Sequence, residues 1–220
     1  MSENTLDTSV IRVLIADDYP VTRHGIRTIL EQAPDIEVVG EATDGTEAMA
    51  LVEQLCPDVV LLDVEMPGPR AWEVEAWIRH NYPDIIGLVL SAHNRDEYLA
   101  EMMEAGAVGY LDKQIPSPQL VQAIRRAARG EYLFEVEQFR RAQCWRTEVR
   151  ARWERLSPRE QEVLQALAQE ASTREIAQRL NIKPNTVDTH VRRLIHKLQV
   201  ANRAEAIAWA WKNGVVEKKP

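Results

Sequence analysis

Val59-Val60-Leu61-Leu62 is an unbroken aliphatic run that ends on a carboxylate, Asp63, and continues as Val64-Glu65-Met66-Pro67. Four apolar residues without polar alternation fit a strand buried on both faces, as in a parallel sheet covered by helices. Asp63 is then fixed at a strand end. Open α/β sheets bind ligands beyond the carboxyl ends of their strands, so the side chains ending the neighbouring strands decide what this edge can hold.

Val10 to Ala16, Ile36 to Ala42, Asp58 to Leu62, Ile85 to Leu90 and Ala107 to Leu111 all read as short strands. Helical periodicity fills the intervals at Val21 to Gln32, Thr46 to Leu55, Trp72 to Tyr82 and Asp96 to Ala105, and a fifth helix follows at Pro118 to Arg129. Five βα repeats predict a doubly wound parallel sheet with the flavodoxin-like order 2-1-3-4-5. Right-handed crossovers put all five carboxyl ends on one edge. That edge carries Asp17 and Asp18 after the first strand, Asp63 after the third, Ser91 after the fourth and Lys113 after the fifth.

After Gly130 the strand signal stops. Glu131 to Leu156 contains no Gly or Pro and reads as helical, and Ser157-Pro158-Arg159-Glu160 is a helix start in which Ser157 caps and Glu160 closes a capping box. Thr173 to Leu180 and Pro184 to Leu198 then read as two helices joined by Asn181-Ile182-Lys183, which is helix-turn-helix spacing. Within the connecting helix, Ala142, Trp145, Val149, Trp153 and Leu156, preceded by Phe139, form an apolar stripe. The tryptophans need something to bury against: the first domain, the second, or the same helix of a second copy.

The chain's 220 residues suit two domains, and charge separates them. There are 22 acidic and 10 basic residues through Arg129, a net of −12, against 12 acidic and 17 basic from Gly130 onward, a net of +5. An acidic half suits a cation site and a basic half a polyanion. Cys56 and Cys144 make no ligand or redox spacing, as in a reduced cytoplasmic protein. Met1 to Ser9 has no apolar signal core, and no apolar run approaches a membrane span, so no membrane association is expected.

Three carboxylates at one sheet edge need a divalent cation. Hard oxygen ligands without His or Cys describe Mg²⁺ better than Zn²⁺. Lys113 there could neutralise a phosphoryl oxygen during transfer to Asp63, and the Ser91 hydroxyl could hydrogen-bond the same oxygens. A lone Asp at a strand end would instead be a helix cap.

Asp17-Asp18, Asp63 through Gly68, Ser91-Ala92 and Ala105 through Lys113 together resemble the receiver domain of two-component response regulators, over residues 9–129. The resemblance implies that Asp63 is the phosphoacceptor, Asp18 a direct Mg²⁺ ligand and Asp17 a ligand through water, with the backbone carbonyl of Glu65 completing the set. It also implies that Ser91 and Tyr110 rearrange on phosphorylation. Two departures stand out. Pro69-Arg70-Ala71-Trp72 replaces a small, flexible loop, and Glu65 adds a carboxylate beside the phosphoacceptor.

On the second helix of the pair, Val187, Val191, Leu194 and Leu198 share one face, leaving Asp188, Thr189, Arg192, Arg193, His196 and Lys197 outward. Leu156 through Leu164, Glu175-Ile176-Ala177, Thr186 through Leu194, Lys197-Leu198 and Asn202 through Ala206 resemble the LuxR-type DNA-binding domain. The whole chain thus resembles a NarL/FixJ-type response regulator: a receiver at 9–129, a helical linker at 130–155 and a helix-turn-helix domain at 156–216. By that resemblance Asp188, Thr189 and Arg192 face bases, with Arg192 suited to guanine, while Arg193 and Lys197 suit phosphates. Asp188 stands where Lys is common, Lys183 where a capping hydroxyl is usual, and Glu170 where a helix-ending Gly is usual. His190 and His196 lack partner ligands and read as packed or solvated.

The resulting expectation is a transcription regulator that accepts phosphate from a sensor histidine kinase, dimerises, binds promoter DNA and works with RNA polymerase. One rival is a phosphorylation-independent DNA binder whose receiver serves dimerisation or ligand sensing. Another is a Mg²⁺-dependent phosphatase with Asp63 as nucleophile, a class that carries Asp where this chain has Glu65.

Overall fold

Five parallel strands, β1 (Ile11–Ala16), β2 (Ile36–Ala42), β3 (Val59–Leu62), β4 (Ile86–Ser91) and β5 (Gly109–Asp112), stand in the order β2-β1-β3-β4-β5. This is the predicted topology. The structure is a computed structural model describing residues 10–169 and 171–216. The amino-terminal stretch Met1 to Ser9 and the departure at Glu170 lie outside the described residues.

Helices α1 (Pro20–Leu30), α2 (Gly45–Leu55), α3 (Ala71–Asn81), α4 (Asp96–Ala105) and α5 (Ser117–Ala128) alternate with the strands. All four residues of β3 are buried, as its unbroken aliphatic run requires. One side chain layer joins Val13, Ile15, Leu61 and Leu88 to Ile26 and Leu30 of α1 and to Leu120 and Ile124 of α5. The alternate strand residues Leu14, Val60 and Leu62 are equally inaccessible, as are Val52 of α2 and Val74 and Ile78 of α3. At about 25 cal/mol per Å² such burial dominates the stability of the sheet.

Contacts divide the chain into two compact units, one running through Asn94 and again from Glu101 to Val136, the other comprising Arg95–Ala100 and the chain from Glu137 onward. The second unit contains most of α6 (Val136–Cys144), a π-helical segment (Trp145–Arg150), α7 (Ala151–Glu154), α8 (Pro158–Ala168), α9 (Thr173–Arg179), α10 (Pro184–Leu198) and α11 (Arg203–Lys212). Leu156, Val163, Leu164, Leu167, Ile176, Val187, Leu194, Leu198 and Ala206 form its core. No helix of the described residues is long and apolar enough to cross a membrane.

The connecting segment departs from the single helix expected over 131–156. Helix begins only at Val136, because the Leu133 amide donates to the Val108 carbonyl at 2.7 Å and the Leu133 side chain packs on Gly109. That bond ties Leu133 to the residue before β5 and keeps 131–135 out of the helix. Farther on, Ala142, Trp145 and Leu156 are buried, whereas Phe139, expected to lead the stripe, is 62% exposed. The tryptophans are used within the second unit: Trp145 Nε1 donates to the Asn213 carbonyl at 3.1 Å, and Trp153 packs on the Leu156–Leu164 core.

Candidate functional site

The ladder of the sheet continues just past the strand ends, and this sets the site. The Asp63 amide donates to the Ala16 carbonyl at 2.8 Å, the Asp17 amide to Ala42 at 3.1 Å, and the Lys113 amide to Ser91 at 2.9 Å. Asp17, Asp63 and Lys113 are thereby all fixed at the same sheet edge, Asp17 and Asp63 beyond neighbouring strands and Lys113 beyond β5 on the far side of β4. Lys113 Nζ bridges two carboxylates, 2.7 Å from Asp17 Oδ2 and 2.8 Å from Asp63 Oδ2.

Asp17 and Asp63 are almost fully buried, at 2% and 4% exposure. Burial pushes the Asp63 carboxyl above the ordinary carboxylate range, with the Lys113 bond partly offsetting it. For Lys113 the balance runs the other way: burial disfavours the ammonium, but its bonds to Asp17 and Asp63 outweigh that and raise its pKa.

Asp17, Asp18 and Asp63 each present a carboxylate oxygen, and the three lie within 4.8 Å of one another. Asp17 is largely committed, since Oδ1 accepts from the Tyr19 amide at 2.8 Å and Oδ2 faces Lys113. Asp18 Oδ1, in contrast, is buried with no hydrogen-bond partner. An unpartnered buried carboxylate oxygen among hard oxygen donors fits a divalent cation and is costly without one. The expected acidic cluster is therefore assembled.

The loop after β3 is held by α2. The Gly45 amide donates to the Pro67 carbonyl at 3.1 Å, and a Cβ on Gly45 would lie 2.5 Å from the Pro69 carbonyl oxygen, so only glycine permits this approach. Gly68 turns the loop at φ +84°. Beyond it the Arg70 guanidinium stacks on Trp72 at 5.2 Å, which accounts for the bulky residues there.

Ser91 is buried, and its hydroxyl accepts from the His93 amide at 3.1 Å. The Tyr110 hydroxyl donates to the His93 carbonyl at 2.5 Å. The Glu65 side chain is exposed, its Oε2 3.0 Å from Nε2 of His93. Sequence reasoning passed over His93, since nothing in the linear chain signals that the loops after β3 and β4 meet through it.

In the second unit, Ser157 accepts from the Glu160 amide and Glu160 accepts from the Ser157 amide at 2.8 Å, the predicted capping box. Helix α10 starts at Pro184 after Lys183, which makes no side-chain cap. Asn181 takes φ +50° in the turn before it, a conformation its short polar side chain tolerates. Val187, Val191, Leu194 and Leu198 are buried, while Asp188, Thr189, Arg192, Arg193 and His196 are exposed. Thr189 donates to the Asn185 carbonyl at 2.9 Å. Arg192 and Arg193 have no ion-pair partner among the described residues, a free cationic face. Lys197 differs: its Nζ is 2.6 Å from Glu160 Oε2.

A doubly wound sheet with a lysine-bridged acidic pocket, followed by a helix-turn-helix, defines a DNA-binding response regulator. The chain belongs to this family, the NarL/LuxR-type two-component response regulators: residues 13–125 match the response regulator receiver domain and residues 154–210 the bacterial regulatory proteins of the luxR family. It is similar to the uncharacterized transcriptional regulatory protein YxjL of Bacillus subtilis, 39% identical over 215 residues that span 94% of this chain and 98% of the relative. The nitrate/nitrite response regulator NarL of Escherichia coli K12 is 35% identical over 201 residues, spanning 90% and 93%. Among solved structures, the RcsB–DNA complex aligns with a TM-score of 0.57 at 27% identity, covering 92% of this chain and 98% of that one. The chain is a response-regulator transcription factor and not a metabolic enzyme, which removes the phosphatase rival.

Proposed function

We propose that Asp63 accepts a phosphoryl group from a sensor histidine kinase and that this modification controls promoter binding by α10. The observation that carries the reading is Lys113 Nζ bridging Asp17 and Asp63 at 2.7 and 2.8 Å at the carboxyl edge of the sheet. A carboxylate oxygen of Asp63 attacks phosphorus, the donor's bond to phosphorus breaks, and the leaving group departs in line. Lys113 then pairs with a phosphoryl oxygen where it had paired with the Asp63 carboxylate. Asp18 would hold Mg²⁺ directly, Asp17 through water, and Glu65 through its backbone carbonyl. Mg²⁺ supplies charge neutralisation at the phosphoryl oxygens.

Ser91 and Tyr110 are the groups whose hydroxyls exchange their His93 contacts when the phosphoryl group arrives. In the second unit Arg192 donates to a guanine edge, Thr189 and Asp188 adjoin the neighbouring bases, and Arg193 contacts phosphate. Lys197 adds phosphate attraction only to the extent that Glu160 leaves its charge uncompensated. RcsB, a relative whose structure holds two dimers on two parallel DNAs, supports a homodimer on double-stranded DNA as the active form. The cytoplasm, with RNA polymerase as downstream partner, is the setting.

Mass spectrometry after incubation with acetyl phosphate and Mg²⁺ tests this. One phosphoryl group is expected on Asp63 and none on Asp63→Ala. An unlabelled chain that binds its operator equally well would establish the phosphorylation-independent alternative instead.

A further inference from the structure

Arg23, one turn into α1, reaches back to the end of β1 and across to β2. Its Nη1 donates to the Asp17 carbonyl at 2.7 Å, and its Nε donates to Glu41 Oε2 at 3.2 Å. The side chain is only 11% exposed, so this guanidinium is held within the fold. Glu41 accepts a second bond on its other oxygen, from Arg27 Nε. The bond from Arg27, joined by that from Arg23, holds the Glu41 carboxyl below its ordinary range against the opposing effect of burial. Both bonds therefore join ionised groups.

Asp17 is committed at each of its polar groups. Its amide donates to the Ala42 carbonyl, its own carbonyl accepts from Arg23, Oδ1 accepts from the Tyr19 amide and Oδ2 faces Lys113. The Asp17 carbonyl and the Asp18 amide share one planar peptide unit, so the bond from Arg23 also sets the plane from which Asp18 departs. Asp18 carries Oδ1, the buried carboxylate oxygen without a hydrogen-bond partner.

We propose that Arg23 is a positioning residue for the Mg²⁺ site: it fixes the Asp17–Asp18 peptide from the α1 side and so holds the Asp18 carboxylate where it can ligate the cation. This deepens the proposed function and rests on Asp18 holding Mg²⁺. A group that orients a metal ligand without touching the metal acts on affinity. Glu41 orients Arg23 in turn, which ties the cation edge to β2, the one strand that contributes no side chain to it.

Charge alone predicts the reverse. Were Arg23 merely a cation beside an acidic cluster, its removal would relieve repulsion and tighten Mg²⁺ binding. Loss of an anchor loosens it. Arg27 supplies the control for stability, since it shares Glu41 and otherwise pairs with Glu31, away from Asp17.

The test uses the full chain and two readouts, the Mg²⁺ dependence of the thermal unfolding midpoint and the Mg²⁺ dependence of Asp63 labelling by acetyl phosphate. Arg23→Ala should raise the Mg²⁺ concentration at half effect by about tenfold in both. At saturating Mg²⁺ its labelling rate should stay within about twofold of the unaltered chain, because the reacting groups are intact. Arg23→Met keeps the apolar stem and loses the donors, so it carries the same expectation should the alanine variant not fold. Arg27→Ala should lower the midpoint without Mg²⁺ and leave the half-effect concentration unchanged. Unchanged or tighter Mg²⁺ binding without the Arg23 donors, or an equal shift in Arg27→Ala, would overturn the assignment. An unaltered chain whose midpoint and labelling both ignore Mg²⁺ overturns the metal reading itself, and the role of Arg23 with it.

Discussion

Lys197 Nζ lies 2.6 Å from Oε2 of Glu160, a carboxylate 3% exposed, and the same oxygen accepts from the Ser157 amide at 2.8 Å. A single carboxylate oxygen therefore joins the start of α8 to the last turn of α10. Burial alone would raise the Glu160 carboxyl, but the bonds from Lys197 and Ser157 outweigh it and hold its pKa below the ordinary value of 4.5.

Lys197→Ala should destabilise the second unit by about 1–3 kcal/mol in urea unfolding, because it leaves a buried carboxylate without its cation. A depressed carboxyl contributes stability at pH above its unfolded value, and that contribution is lost as pH falls through its folded value. The unaltered protein should therefore lose stability below pH about 4, and Lys197→Ala should show a shallower acid loss. A variant whose unfolding matches the unaltered chain would make Lys197 a DNA contact alone.

Lys113→Ala should separate metal binding from phosphoryl transfer. Without the ammonium, Asp17 and Asp63 face each other with no counter-charge, so the site should bind Mg²⁺ more tightly, by about three- to tenfold. Labelling by acetyl phosphate should fall at the same time. Mg²⁺ titration of the thermal unfolding midpoint measures the first effect, which should appear as a larger Mg²⁺-dependent rise. An unchanged Mg²⁺ affinity would place Lys113 outside the cation's field.

Glu75 on α3 is 0% exposed, neither oxygen has a hydrogen-bond partner, and its carboxylate lies against Gly87. Burial raises its pKa to about 7, with Arg79 acting weakly against the shift. The folded state holds this proton after the unfolded chain has released it. Stability should therefore fall as pH rises from about 4.5 to about 7, by roughly 3 kcal/mol, and be level above that. Glu75→Gln, neutral and similar in shape, should be more stable than the unaltered chain at pH 8 and should flatten this slope in urea unfolding measured across pH. Gly87→Ala should be destabilising by about 1–3 kcal/mol, since its Cβ would overlap the Glu75 carboxylate.

Arg192 and Arg193 should behave differently on DNA. Arg192→Ala is expected to cost about 1–3 kcal/mol at one base position and to relax specificity there, whereas Arg193→Ala should weaken specific and random DNA alike and reduce the salt dependence of binding. Equal losses of Arg192→Ala on both DNAs would move that side chain to the backbone.

The order of elements was legible in the sequence because it is written in local signals. Aliphatic runs mark the strands, 3.6-residue periodicity marks the helices, and the Ser157–Glu160 capping box starts α8 where it was placed. The division of α10 into a buried Val187–Leu198 stripe and an exposed Arg192–Arg193 face was equally readable, since it depends on one helix's geometry alone.

Tertiary structure decided which distant groups share a partner. Lys113 between Asp17 and Asp63 follows from the parallel register, which brings three strand ends together. His93 on Glu65 and Lys197 on Glu160 follow from which loops and helix ends meet. In sequence, Glu75 is an ordinary helix glutamate and Leu133 belongs to a helical stretch. Packing overrode both readings: Gly87 lacks a side chain and leaves room for a buried carboxyl, and the Val108 carbonyl captures the Leu133 amide before a helix can use it. Local propensity acts over a few residues, whereas charge pairing and burial depend on neighbours that the fold supplies.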